Sequence, residues 1–189
     1  LLGLPLGVML YVTRPRQILA MPVLNQVLGI ITNIGRSIPF IILMVAIIPF
    51  TRMLVGTSIG INAASVPLTI AAIPFVARLI EGALNEISPG LIESAQSMGA
   101  TPWQIITKVL IPEARGGIIT GLTITLVTLV SYSAMAGAVG GGGLGDLGIR
   151  YGYNRFNPTI MLITVVILVV LVQGFQSLGD YLVRKSDRK

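Results

Sequence analysis

The 189-residue chain is 53% hydrophobic and only 11% charged, with a mean hydropathy of +0.88 and a formal net charge of +6. A soluble domain carries about 25% charged residues, so this chain has too few to cover a water-facing surface and reads as an all-α, multi-span membrane protein. It has no cysteine and no histidine, which excludes disulfides, thiol chemistry and the commonest zinc and acid–base ligands; no metal site and no catalytic residue is expected.

Apolar runs and their breakers predict five spans. The first is the run from Leu1 to Val12, closed by "TRPRQ". A spanning helix needs about 20 residues, so the expectation is a first span cut short at its N-terminus. A signal peptide is not expected, because no basic start or small-residue cleavage site is visible. The second span runs from about Pro22 to Phe50, interrupted by "TNIGRS", and the third from about Asn62 to Leu84. The fourth covers about Gly116 to Val139. The fifth opens at Asn157-Pro158, a good N-cap and first-turn pair, and continues to about Val183. No composition shift marks a domain boundary, so residues 1–189 read as one transmembrane domain.

The basic residues sit at the ends of the apolar runs and form no groove-lining cluster with interleaved aromatics, so no nucleic-acid partner is expected. Arg14, Arg16, Arg78, Lys108, Arg115, Arg184, Lys185, Arg188 and Lys189 fall on one side, against Arg52, Arg150 and Arg155 on the other. The positive-inside rule makes the first side cytoplasmic. The C-terminus then faces the cytoplasm, and the glycine-rich stretch "GGGGLGDLGIRYGYNRF" reads as an external loop whose residues Gly140 to Gly143 form a flexible turn. That stretch lacks the Lys and Ser/Thr of a phosphate-cradling loop.

Between the third and fourth spans lies a polar segment on the cytoplasmic side. Ser88-Pro89 is a helix start, and Leu91, Ala95 and Met98 fall at i, i+4 and i+7 as one predicted apolar stripe. Gly99 is a helix stop. Thr101 and Gln104 carry the spacing of a capping box that restarts a helix, and Pro112 is expected to kink it. The spacing predicts a short helix over about 89–98. From Glu86 to Thr107 there are acids but no bases, which disfavours a helix lying on lipid, since such helices favour Lys and Arg on the polar face.

This segment resembles the "EAA" loop of ABC-importer permeases. Glu93-Ser94-Ala95 is followed after three residues by Gly99 and after nine more by Val109-Leu110-Ile111-Pro112. The spacing is intact, with Ser94, Val109 and Ile111 as conservative departures. The resemblance implies a type I ABC-importer permease fold of five transmembrane helices plus a short cytoplasmic coupling helix. It also implies that Glu93, Ser94, Ala95, Met98, Gly99 and Pro112 couple the chain to an ATPase subunit.

Within the spans, each carboxylate lies near a span end or in a loop, which argues against an ion-coupled carrier. The fourth span is rich in small and hydroxylated residues, and its Gly117 and Gly121 form a GxxxG suited to close packing. Ser131, Tyr132 and Ser133 read either as helix–helix hydrogen-bonding groups or as lining of a translocation route, with Met135 as an apolar plug. Arg36 is the one charge well inside an apolar run; it either snorkels to the cytoplasmic side or holds a carboxylate or a helix terminus.

Two further stretches, "TNIGRSIPFIILMVAIIPFTR" and "SYSAMAGAVGGGGLGDLGIRYGYNRF", are similar to the permease of the methionine ABC importer family. That resemblance implies a homodimer in the bacterial cytoplasmic (inner) membrane, two cytoplasmic ABC ATPase subunits holding ATP-Mg, and an external binding protein that delivers methionine. It implies no cofactor in this chain. The alternatives are a permease for another small solute such as an osmoprotectant, and an autonomous channel or carrier.

Overall fold

The computed structural model describes residues 2–186; Leu1 and Asp187 lie outside them, as do Arg188 and Lys189, two of the basic residues counted above in the charge asymmetry. Among the described residues every regular element is helical and no strand occurs. The helices are α1 (Gly3–Val12), α2 (Pro22–Ser37), α3 (Phe40–Ala46), α4 (Ile48–Val55), α5 (Ile61–Asn85), α6 (Pro89–Ser97), α7 (Pro102–Ile105), α8 (Ile111–Glu113), α9 (Arg115–Ala136), α10 (Gly143–Leu147) and α11 (Pro158–Ser186). Three π-helical turns, at Ile106–Leu110, Gly137–Gly141 and Gly148–Tyr153, join some of them.

Three helices, α5, α9 and α11, are each long and apolar enough to cross a membrane. A fourth crossing is available if α2 and α3 are one span bent by 98°. The bend falls at Ile38-Pro39, directly after the polar "TNIGRS" expected to interrupt the span. Proline removes an amide donor and pushes the residue before it out of the helical region, and that outweighs the polarity of Thr32 and Asn33. The start of α11 is as expected: the Asn157 side-chain carbonyl accepts a hydrogen bond from the Ile160 amide at 3.2 Å.

The chain forms two compact units. The first comprises residues 1–35, 73–123 and 178–189. Here α1 lies hard against α5: a Cβ added at Gly7 would come within 2.7 Å of Ile80 Cβ. The predicted GxxxG also packs on α5, with a Cβ at Gly117 only 2.7 Å from Ala83 Cβ and one at Gly121 only 3.1 Å from Leu79 Cβ. One apolar cluster fills this unit, drawing Val8 and Tyr11 from α1, Ile80 and Leu84 from α5, and Ile92 and Ala95 from α6. Above it Glu81, only 4% exposed, is ion-paired to Arg14 and Arg78 at 2.6 Å each. The carboxylate is buried while the two guanidinium groups stay partly exposed, so its charge is compensated from both sides.

The second unit comprises residues 36–72 and 124–177. Phe40 and Met44 of α3 and Ala136 of α9 form its core, with Ala64 and Leu68 of α5 packed against them. The glycine-rich stretch expected to be a flexible external loop is instead mostly helical, a π turn followed by α10 and a second π turn. Packing supplies what glycine's poor helix propensity withholds. A Cβ on Gly145 would collide with the carbonyl oxygen of Ala134, and one on Gly137 with the amide nitrogen of Asp146. Only backbones without side chains can approach that closely.

Candidate functional site

The polar segment folds as a helical hairpin, and its corner is built by hydrogen bonds the sequence foretold. Helix α6 ends in a Schellman arrangement: the Ala100 amide donates to Ala95 carbonyl oxygen at 3.1 Å and the Gly99 amide to that of Gln96 at 2.9 Å. Gly99 sits at φ +78°, a conformation that costs an L-residue about 1–2 kcal/mol. The next helix opens with the predicted capping box: the Thr101 hydroxyl accepts from the Gln104 amide at 3.4 Å, and the Gln104 side chain accepts from the Thr101 amide at 2.9 Å. An N-cap of this kind contributes about 1 kcal/mol.

The predicted stripe of Leu91, Ala95 and Met98 is not the buried face. Ile92 and Ala95 face the core, whereas Leu91 is exposed and Met98 is 80% exposed. The reason is that Ile92 reaches the α1–α5 cluster in register with Ala95, three residues on. Glu93, Ser94 and Gly99 also lie on the exposed side. The hydroxyl of Ser94 donates to the Gly90 carbonyl at 2.8 Å, so it offers a small surface rather than a free donor. Pro112 lies half-buried in α8, flanked by the π turn before it and the irregular residue Ala114 after it. Proline leaves the Lys108 carbonyl without its amide and crowds it; the widened π turn makes room.

The sequence signals above do not single out Trp103, which the fold leaves at the surface. It is 71% exposed, next to the corner, and is the chain's only tryptophan. A lone large aromatic in a polar hairpin was the available signal, since exposed tryptophan is what protein interfaces select as an anchor. Met98 and Trp103 together give the hairpin an apolar rim around the acidic and small residues.

The residues expected along a pathway do not share one surface. Ser131 and Met135, four apart on α9, line a cavity of about 620 Å³ together with Gln173 of α11 and Ile149. Ser133 opens instead onto a second cavity of about 380 Å³ lined by Leu129 and Phe175. Tyr132 stacks on Phe40 with ring centroids 4.5 Å apart and planes within 2°, so its ring is engaged in helix packing. Arg36 is exposed in the last turn of α2, where a cation complements the helix dipole. No carboxylate among the described residues pairs with it.

The family model described as "Binding-protein-dependent transport system inner membrane component" matches residues 3–188. The probable D-methionine transport system permease protein MetI of Vibrio cholerae is 64% identical over 188 residues, spanning 100% of this chain and 84% of the relative. The D-methionine transport system permease protein MetI of Escherichia coli K12 is 62% identical over 136 residues, 72% of this chain and 63% of the relative. Among solved structures, a chain of the inward facing conformations of the MetNI methionine ABC transporter superposes with a TM-score of 0.96 at 58% identity, covering 98% of this chain and 86% of the other. A chain of an amino acid ABC transporter with histidines gives a TM-score of 0.75 at 22% identity over 97% of this chain and 85% of the other, a likeness of fold.

Proposed function

Because the chain belongs to the family of binding-protein-dependent transport system inner membrane components, we propose that it is the permease subunit of an ATP-driven importer for methionine. The observation that carries this reading is the exposed hairpin: an acidic and small-residue surface with an apolar rim at Met98 and Trp103, fixed to the core through Ile92 and Ala95. Such a surface suits a cleft on a protein partner. The methionine assignment is supported by relatives more than 60% identical that are named for D-methionine transport. In this reading two copies form the path, two cytoplasmic ATPase subunits carry ATP-Mg, and an external binding protein presents the substrate. Five spans accommodate it if α1 is the end of a crossing and α2–α4 make another.

The direct test is reconstitution. The chain alone should hydrolyse no ATP above background, since it carries no phosphate-cradling motif. With its ATPase subunits and binding protein in vesicles it should take up methionine, and excess unlabelled methionine but not an osmoprotectant should compete. Uptake or exchange by the chain alone, without ATP, would return the autonomous-carrier reading.

Orientation has its own check. Reporters inserted near Ser88 and fused after the last residue should both report cytoplasm, and one at Gly143 should report the exterior. An external signal at Ser88 would place the hairpin where no cytosolic ATPase reaches it.

Met135 and Ser131 line the larger cavity, and in this reading they close the path toward the exterior. Met135→Gly should then leak solute or raise ATP turnover without matching uptake. Unchanged permeability and coupling would assign Met135 to helix packing alone.

A further inference from the structure

We propose that Glu81 is a positioning residue for the coupling step: its buried carboxylate ties the helix that carries the docking hairpin to α1 and α2, so that these elements move as one body when the ATPase subunit engages. The inference rests on reading the chain as an ABC permease. Both carboxylate oxygens are in use. One accepts from Arg14 Nε at 3.1 Å and Nη2 at 2.6 Å, and the other from Arg78 Nη1 at 2.6 Å.

The two guanidinium groups extend the tie outward. Arg14 Nη1 donates to Asn85 Oδ1 at 2.8 Å, at the last residue of α5. Arg78 Nη2 donates to the Gly29 carbonyl at 3.2 Å and to Asn33 Oδ1 at 2.8 Å, both on α2. A second strap runs from Asn25 of α2, whose amide donates to the Leu10 carbonyl at 2.6 Å and to Thr13 Oγ1 at 3.0 Å. Only residues 86–88 separate the end of α5 from the start of α6. A push on the hairpin therefore meets the tie within one helical turn.

Stability alone is a poor account of this arrangement. A buried ion set is often no more stabilising than apolar side chains of the same volume, and α1 already packs tightly on α5 through Gly3 and Gly7. What two guanidinium groups, one on each carboxylate oxygen and Arg14 through two of its nitrogens, add is fixed geometry. A rigid link is what force transmission requires.

The experiment uses the full complex of permease, a cysteine-free ATPase partner and binding protein in vesicles. The chain has no cysteine, so Met21→Cys and Lys108→Cys, both at exposed positions, can carry a spin-label pair without background. In the parent protein the distance distribution should be narrow and identical with and without ATP. In Glu81→Gln it should broaden and shift with ATP, while the ATPase still co-purifies and methionine taken up per ATP falls about tenfold, the size of one coupled contact. Arg14→Lys keeps the charge but loses the fork, and should fall between; it bears the test alone if Glu81→Gln fails to assemble. A label distance unaltered in the variants, a parent distance that itself moves with ATP, or a loss that merely follows the amount of complex would overturn the proposal. A parent complex that holds the distance fixed yet takes up no methionine would leave the tie standing and sink the substrate assignment instead.

Discussion

Gly99→Asp is expected to leave the permease inserted and dimeric while releasing the ATPase subunit and abolishing uptake. No heavy atom lies within 4 Å of a Cβ built on Gly99, so the first side-chain carbon meets no obstacle inside the chain. Its backbone cost is set by the φ of +78°. Aspartate is among the residues that visit this region, at about 1–2 kcal/mol or less, so the fold survives. What changes is the exposed corner, which gains a carboxylate on the surface proposed to meet the ATPase subunit. Gly99→Asn carries the same backbone strain without the charge and separates shape from electrostatics. Co-purification of the ATPase with each variant reads the result. Glu93→Ala should weaken docking in the same direction but less, because an exposed charge pair contributes only ~0–1 kcal/mol. Full ATPase binding and transport by Gly99→Asp would mean that the hairpin is an interfacial helix and not a docking element.

Gly145→Val is expected to be as severe, by a different route. A Cβ there would run into the backbone of Ala134, and neither α9 nor α10 can give way as a flexible side chain would. Overpacking a well-packed site costs about 1–3 kcal/mol even where side chains adjust; here the obstacle is backbone, so the loss should be larger. Little folded permease should be recovered after detergent extraction. Gly174→Ala, on α11 with nothing within 4 Å of the added carbon, is the matched control and should extract normally. A Gly145→Val protein with parental yield and thermal midpoint would show that the α9–α10 contact admits a side chain.

Local signals in the sequence read well wherever neighbouring residues settle the outcome. The Asn157 cap, the Gly99 stop and the Thr101–Gln104 capping box are each decided by a few adjacent groups competing for orphan amides and carbonyls. They appear in the structure with the expected partners. The failures share a different cause. Gly140 to Phe156 reads as loop because glycine is a poor helix former alone; only the approach of α10 to α9 makes the lack of a side chain at Gly145 an asset. The stripe over Leu91 and Met98 fails because periodicity finds apolar positions without saying which of them meets a core. The Glu81 cluster joins residues 67 apart in the chain, a separation no window of local pattern spans. Residues along α9 fared likewise: Ser131 and Ser133 look equivalent on paper, yet they open onto different cavities.

Helix α11 is the longest described element and holds the most apolar stretch of the three long helices, yet only 6% of that stretch is buried inside the chain. For most globular helices, leaving water and packing against neighbours are one event; for this one they are separate. The aliphatic side chains of Val165, Val166 and Val170, all exposed, gain their free energy on entering hydrocarbon, before any helix touches another. Their shapes therefore carry little information, and one aliphatic residue should serve there about as well as the next. Thr164 is the opposite case. It is buried against the backbone of Gly148, where an added carbon would sit 3.2 Å from its methyl, and its hydroxyl is already returned to the Ile160 carbonyl at 2.8 Å. A single helix thus answers to two solvents, oil along most of its surface and protein at a few points, and tolerance to substitution should change abruptly from one residue to the next between positions 164 and 166.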